Sequence, residues 1–516
     1  YDVNEPQAVA IVSAMQKKKG FSLIQGPPGT GKTKTILALI VSLLDQRKRA
    51  TSEDMSTSGK LLVCAPSNAA VDEIAKRLKE GVMTSEGLTS PNVVRIGVAD
   101  SVNASVKDRI LDKLIEAEMD ASSGKDGAPG GKWGAKLDTL HQDIRNIQIS
   151  LDDVDREITQ AGSDMVQMSI LRDKRKTLAQ KLTKSRILLK DTYQDQKNYG
   201  KEMEISRVRA RQKVFANADV VCATLSGSGH DMLTQMGVSF ETVIVDEAAQ
   251  SIEISSLIPL KFDTQRCILV GDPNQLPPTV MSTLATKHNY QQSLFMRLER
   301  NMASEINLLS IQYRMHPHIS SFPSKMFYQS QLKDGPNMDK VSSAVWHALP
   351  QFPPYRFFNI MDGQEKLGRG KSIFNVAEAD AAVALVDMLC TKLPTVKFAS
   401  KIGVITPYKQ QVGQLKSRFQ KRFGNSILDV IDFNTVDGFQ GQEKEIIIFS
   451  CVRAGYGRGI GFLADMRRMN VGLTRAKCSL FVLGNAHSLN SSEYWGDLVY
   501  DAQKRDLITN VSVFAV

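Results

Sequence analysis

The chain has 516 residues, 42% hydrophobic and 23% charged, a balance that suits a globular protein with two or three cores. No apolar run approaches the roughly 18 residues a membrane-spanning helix needs, and no secretory leader opens the chain. A net charge of +10 and a pI near 9.1 point weakly to polyanionic partners.

The first elements alternate strand and helix. "FSLIQ" (21–25) reads as a buried strand and "KTKTILALIVSLLDQ" (32–46) as a helix. Between them Gly26, Pro27, Pro28, Gly29, Thr30, Gly31, Lys32 and Thr33 fit the pattern G-x-x-x-x-G-K-[ST], followed by Lys34. Glycines let the backbone wrap a phosphate with its N–H groups pointing inward. Lys32 would reach the β/γ-phosphates and the Thr33 hydroxyl would sit on Mg²⁺, so the chain is expected to bind a nucleoside triphosphate. "KLLVCAPSNAAVDEIAKRL" (60–78) adds another strand, polar turn and helix, a parallel α/β pattern.

That pattern breaks between 101 and 217. Residues 122–134 are Gly-rich and are expected to form a mobile loop. Leu137, Leu140, Ile144, Ile147, Leu151, Val154 and Ile158 then repeat at alternating spacings of three and four, a heptad seam. A looser seam follows at Met168, Leu171, Leu178, Leu182 and Leu189. We expect two antiparallel helices, about 135–161 and 165–200, inserted into the first α/β domain. Residues 172–213 hold fourteen Lys or Arg against five Asp or Glu, an excess of nine, numerically close to the whole net charge. This basic face could bind nucleic acid or protein, or be merely solvated.

The α/β pattern resumes at 218. "ETVIVDEAAQ" (241–250) places Asp246 and Glu247 at a strand end, one carboxylate suited to Mg²⁺ and the other to activating the attacking water. "GDPNQLPP" offers Gln275, able to sense the γ-phosphate or bond that water. A second α/β series begins near 355 and has no phosphate loop. "QYRMHP" (312–317) and "NVGLTRAK" (470–477) supply Arg314 and Arg475, cations suited to the charge developing in phosphoryl transfer. If both act on one nucleotide, hydrolysis depends on closure between the two domains. The expected divisions are 1–100 and 218–312 for the first domain, 101–217 for the insertion and 313–516 for the second domain. The cysteines, at 64, 222, 267, 390, 451 and 478, form no C-x-x-C and are expected to be reduced core thiols, and the seven histidines show no metal spacing.

In order, "NEPQ", "GPPGTGKT", "APSNAA", "DEAAQ", "GDPNQLPP", "QYRMHP", "TPYKQQ", "TVDGFQGQE" and "VGLTRAK" resemble the motifs of superfamily 1 helicases over nearly all of both α/β domains. The insertion, "TLSGSGHDML" and "QLKDGPNMD" are similar to the senataxin type, in the branch that includes the nonsense-mediated-decay helicase. The resemblance implies two RecA-like domains using ATP and Mg²⁺ to translocate 5′→3′ on single-stranded RNA or DNA and to separate RNA–DNA hybrids. It further implies a nuclear, monomeric enzyme that meets the transcription machinery in termination, away from membranes. By position it implies that Gln7 bonds the adenine edge, Tyr313 stacks on the adenine face, Glu443 touches the ribose, and Arg314 and Arg475 are arginine fingers. Nucleic-acid contacts are implied for Ser67, Asn68, Thr224, Pro277, Thr406, Pro407 and Thr435, small groups suited to gripping a backbone without reading bases. In this branch a small β-barrel on a stalk precedes the adenine motif, whereas this chain starts three residues before Asn4 with no Met, which reads as an excised motor core. The motifs alone would equally serve an ATP-gated RNA clamp that does not unwind. A P-loop ATPase acting on protein would more often take its arginine from a neighbouring subunit.

Overall fold

The computed structural model describes residues 2–49, 60–85, 87–122, 130–302, 305–368, 370, 372–455 and 459–511. Two parallel sheets dominate. The first comprises β1 (Gly20–Gln25), β2 (Leu61–Ala65), β3 (Val93–Ile96), β4 (Val220–Thr224), β5 (Thr242–Val245), β6 (Arg266–Gly271) and β7 (Ile306–Leu308), in the spatial order β3-β4-β2-β5-β6-β1-β7. The second comprises β8 (Tyr355–Ile360), β9 (Ile402–Thr406), β10 (Asp432–Thr435), β11 (Lys444–Ser450), β12 (Ala476–Gly484) and β13 (Ile508–Val511), in the order β10-β9-β11-β12-β8-β13. Apart from β3, the two orders coincide strand for strand. These are the two RecA-like sheets the resemblance implies.

Their strands read as unbroken apolar runs because helices cover both faces. In the second sheet, alternate residues feed opposite cores. Phe357, Ile447, Phe449, Leu480 and Val482 join one cluster with Trp495. Phe358, Ile446, Ile448, Phe481 and Leu483 join the other with Leu385 and Phe419. Helices α1 (Glu5–Gln16), α2 (Lys32–Arg49) and α3 (Asn68–Glu80) belong to the first sheet. Five cysteines are buried, but Cys390 is exposed, so the expectation of a core thiol fails there. Among the described residues, no helix is long and apolar enough to cross a membrane.

Lys107–Ala218 forms a separate compact unit. It holds α4 (Leu111–Ser122), α5 (Gly130–Gln160) and α6 (Met165–Asn217). The α5 seam follows the heptad expectation: Leu137, Leu140 and Val154 are buried and the other seam positions half-buried. Arg175 crosses to Asp155 at 2.6 Å beside the turn, which Asp164 closes by capping α6. Two boundaries differ from the sequence reading. Residues 123–129 of the expected loop lie outside the described residues, but 130–134 are helical, because a long packed helix propagates through glycine at about 1 kcal/mol per residue. The second helix runs to Asn217 rather than about 200, reaching roughly 80 Å at 1.5 Å per residue. Its last third packs along α4, with Lys213 on Glu118 at 2.5 Å and Arg207 on Asp112 at 3.8 Å.

Candidate active site and nucleic-acid edge

The phosphate loop leaves β1 with the Gly26 N–H still bonded to the Gly271 carbonyl at the end of β6 (2.9 Å). The Thr30 hydroxyl closes a turn onto the Pro27 carbonyl (2.7 Å). Gly29 and Gly31 adopt φ of +77° and +79°. A Cβ on Gly29 would lie 2.6 Å from the Arg314 Cβ, and one on Gly31 would lie 2.6 Å from Gln7 Nε2, so both positions need glycine for shape and for space. The loop runs into α2, whose first residues, Lys32, Thr33 and Lys34, line the cleft, and a helix N-terminus there suits an anion. Lys32 Nζ donates to the Gly26 carbonyl (2.9 Å), lying across the loop where a phosphate would replace that partner. Pro27, Pro28, Thr33 and Lys34 line the same cleft, and the Lys34 ammonium pairs with Asp2 (2.9 Å).

Two carboxylates follow β5. Asp246 is buried, and its pKa is pushed up to about 7 by that burial and by Glu247, with Lys32 pulling the other way. Such an acid gains from a cation. Together with the Thr33 hydroxyl it would offer oxygen donors of the kind Mg²⁺ takes. Among the described residues no three His, Cys, Asp or Glu side chains gather into a metal cage, so phosphate and water would complete the shell. Glu247 sits at φ +50°, left-handed for a non-glycine residue, and accepts from Gln250 Nε2 (2.6 Å).

The cleft has a volume near 920 Å³ and both sheets line it. The first sheet contributes its strand C-terminal ends, while the second contributes the N-terminal ends of β11 and β12. Arg475, just before β12, is buried and donates to the carbonyls of Val471 (2.9 Å) and Gln442 (3.5 Å) and to Gln275 Oε1 (3.3 Å). Among the described residues no carboxylate pairs with it. Burial, then Arg314, pull its pKa down to about 9, and Glu247 offsets part of that. It is a cation held where an anion is wanted. Arg314 donates to the Thr474 carbonyl (3.2 Å) and pairs with Glu443 (2.5 Å), which Lys477 also holds (2.7 Å). Burial would raise the Glu443 carboxyl, but Arg314 and Lys477 keep it below its ordinary value.

The two residues expected at the adenine have partners within the chain. Gln7 is buried, accepting from the Asn4 N–H (3.1 Å) in a capping box and donating to the Thr30 carbonyl (2.9 Å). One N–H and one lone pair are left for a base. Tyr313 is half-exposed in the cleft, its hydroxyl accepting from Asn4 Nδ2 (3.2 Å) and its ring resting over Gly335.

The motif reading passed over three residues. Asp272 accepts from Gln275 Nε2 (2.8 Å) and the Tyr328 hydroxyl (2.7 Å). Asn470 Nδ2 donates to that hydroxyl and to the Asn274 carbonyl, both at 2.8 Å. This buried chain ties the two sheets together beside Gln275. Asp272 and Asn470 stood inside quoted motifs, but nothing near Tyr328 in sequence marks it.

The residues expected to hold nucleic acid gather at strand ends. The Ser67 hydroxyl caps α3 through the Ala70 N–H (3.2 Å), and Asn68 Oδ1 accepts from Arg95 (2.8 Å). Thr224 ends β4 beside Ala65, and its hydroxyl accepts from the Gly227 N–H (3.0 Å). Thr435 ends β10 beside Thr406 and accepts from the Gly438 N–H (3.1 Å). Pro277 and Pro407 are half-buried. Thr406 is wholly buried, with its hydroxyl toward the Tyr408 N–H (3.5 Å).

Family models described as AAA domains match residues 2–283 and 290–487, the two halves that face each other across this cleft. Helicase sen1 of Schizosaccharomyces pombe is 44% identical over 98% of this chain and 30% of its own length. Helicase SEN1 of Saccharomyces cerevisiae is 43% identical over 98% of this chain and 23% of its own. The chain belongs to the senataxin-type AAA-domain helicases. The probable helicase senataxin of Homo sapiens is also similar, at 35% identity over 98% of this chain and 19% of its own length. This chain thus spans less than a third of the length of these relatives.

Proposed function

We propose that the chain hydrolyses ATP to drive 5′→3′ translocation on single-stranded RNA or DNA, and so separates RNA–DNA hybrids and other duplexes. The observation that carries the reading is the cleft in which the phosphate loop, Glu247 and Gln275 from the first sheet meet Arg314 and Arg475 from the second. The triphosphate lies on the loop amides with Lys32. Thr33 and Asp246 would hold Mg²⁺, which would screen phosphate charge. Glu247 takes the proton of the attacking water, and Gln275, set between Asp272 and Arg475, orients that water. Arg314 and Arg475 stabilise the charge that grows as the bond to the leaving phosphate breaks. Because the arginines and the loop come from different sheets, hydrolysis is linked to the spacing of the strand ends that carry Thr224 and Thr435.

The senataxin resemblance supports the finer reading: RNA–DNA hybrids as substrates, transcription termination as the process and the nucleus as the place. ATP turnover with and without single-stranded RNA, followed by unwinding of RNA–DNA duplexes bearing a 5′ or a 3′ tail, tests it. Turnover should rise with RNA, and only the 5′-tailed duplex should open. Stimulation without unwinding of either duplex would favour a clamp, and opening of the 3′-tailed duplex alone would reverse the direction.

A further inference from the structure

Beside the strand ends of the second sheet, a large aromatic side chain stands outside the core. Phe462 is 60% exposed, on a single 3₁₀ turn, Gly461–Ala464. The turn is pinned on both sides of it. Leu463 is buried and its carbonyl accepts from Trp495 Nε1 (2.8 Å). Ile460 is buried and its carbonyl accepts from the Tyr408 hydroxyl (3.4 Å). Gly461, at φ +56°, runs so close to Tyr408 that a Cβ there would lie 3.2 Å from the hydroxyl. The backbone is therefore held firmly while the ring is left in solvent. Leaving a phenylalanine outside forfeits part of the roughly 1.5–3 kcal/mol that full burial yields. A polar residue would close this turn equally well.

Its neighbours indicate a use. The Tyr408 ring meets Phe462 edge-on at 5.9 Å and 62°, and Tyr408 directly follows Thr406 and Pro407. The Arg468 guanidinium lies 5.5 Å from the Phe462 ring centre and pairs with Asp437 (3.0 Å). Asp437 opens the short turn that the Thr435 hydroxyl caps. Phe462 is thus linked by two routes to the two strand ends that carry Pro407 and Thr435.

We propose that Phe462, backed by Arg468, is a stacking platform for one unpaired base of the single strand gripped at this edge. The proposal rests on the reading of the strand ends as the nucleic-acid grip. Every base has a π face, so such a platform adds affinity without selecting sequence, and a nearby guanidinium adds a cation for the neighbouring phosphate or ring. Because Phe462 is exposed and lies outside the ATP cleft, its replacement leaves the fold and basal hydrolysis unchanged.

The test measures binding of a labelled uridine oligonucleotide by fluorescence anisotropy over a salt series, for the parent protein and for Phe462→Ala, Phe462→Leu and Phe462→Trp. Ala and Leu should each weaken binding about tenfold, in line with roughly 1–3 kcal/mol per stacked base. The slope of affinity against salt should stay unchanged, since no phosphate contact is lost. Trp should restore affinity, with its added fluorescence quenched on binding. Parent-like affinity in Phe462→Ala would overturn the platform, and parent-like affinity in Phe462→Leu would reduce it to apolar contact and overturn stacking. If the parent itself fails to bind, the reading of the edge falls with the platform; if the parent binds and Phe462→Ala binds equally, the platform alone falls.

Discussion

The two sheets share one strand order, yet only the first is followed by a phosphate-loop sequence, and the positions that correspond show what the second has instead. β1 and β8 occupy the same place in the two orders. After β1 the chain forms the phosphate loop and enters α2, whose first residues line the cleft. After β8 it makes a small hairpin and enters α7 (Val376–Lys392), where Asn375 caps the helix and Glu378 brings its own carboxylate. That carboxylate accepts from the Ser450 hydroxyl (2.6 Å), the Val452 N–H (2.8 Å) and Asn375 Nδ2 (3.3 Å). The second sheet thus fills its helix N-terminus with a residue of the chain, where the first leaves room for phosphate. A second correspondence lies at the central strands. Glu247, two residues past β5, and Val452, two residues past β11, both have positive φ, at +50° and +71°. The same strained turn presents an acid in one sheet and, in the other, a β-branched residue whose N–H serves Glu378. A shared scaffold is specialised by single side chains, and the second sheet faces the cleft from its opposite edge, where Arg314 and Arg475 lie.

The comparison can be broken most directly at Glu247. Glu247→Gln should slow ATP hydrolysis roughly 10²–10⁴-fold while nucleotide binding persists, measured by steady-state turnover and by titration with a fluorescent ATP analogue. Turnover within threefold of the parent would remove the acid from the chemistry.

Arg475→Ala and Arg314→Ala should each lower turnover by about 10²-fold with little change in nucleotide affinity, since both act on transition-state charge. Lys32→Ala should impair affinity as well. If both arginine variants keep near-parent turnover, the second sheet is a passive cover and the comparison fails.

Glu378 sharpens it through pH. Burial pushes its carboxyl up to about 8 from its ordinary 4.5, against the Ser450 hydroxyl and the N–H groups of Val452 and Cys451, which pull it down. Between these values the folded chain keeps a proton that the unfolded chain has released. The stability it contributes is therefore complete below the unfolded value and is lost as pH rises through 8. Glu378→Gln removes the titration. Its melting temperature relative to the parent should therefore improve between about pH 5.5 and 8. A difference independent of pH would mean that the site holds a permanent carboxylate.

The smallest effect is expected at the paired threonines. Thr224→Ala and Thr435→Ala each remove one hydroxyl that caps a glycine turn, and each should weaken single-strand binding severalfold, consistent with about 0.5–1.5 kcal/mol for one hydrogen bond. Similar losses at both would show that the sheets grip alike.

Much of this was legible in the residue order, because it depends on neighbours in sequence. The phosphate loop is a contiguous pattern with a fixed backbone requirement at Gly29 and Gly31. The strands declare themselves by apolar runs, and the α5 seam by a period that one helix carries alone. The order also placed Asp246 and Glu247 at a strand end, where parallel sheets put their chemistry. Tertiary structure decided which of these groups meet. Arg475 reaches Gln275 across 200 residues, and Tyr328 reaches Asp272 across 56. The burial of Thr406, the double use of the Gln7 amide and the exposure of Phe462 between buried Ile460 and Leu463 depend equally on surroundings that no local pattern encodes. A period or a motif states what one segment can do by itself, whereas a partner, a degree of burial and the resulting shift in acidity belong to the space that distant segments enclose together.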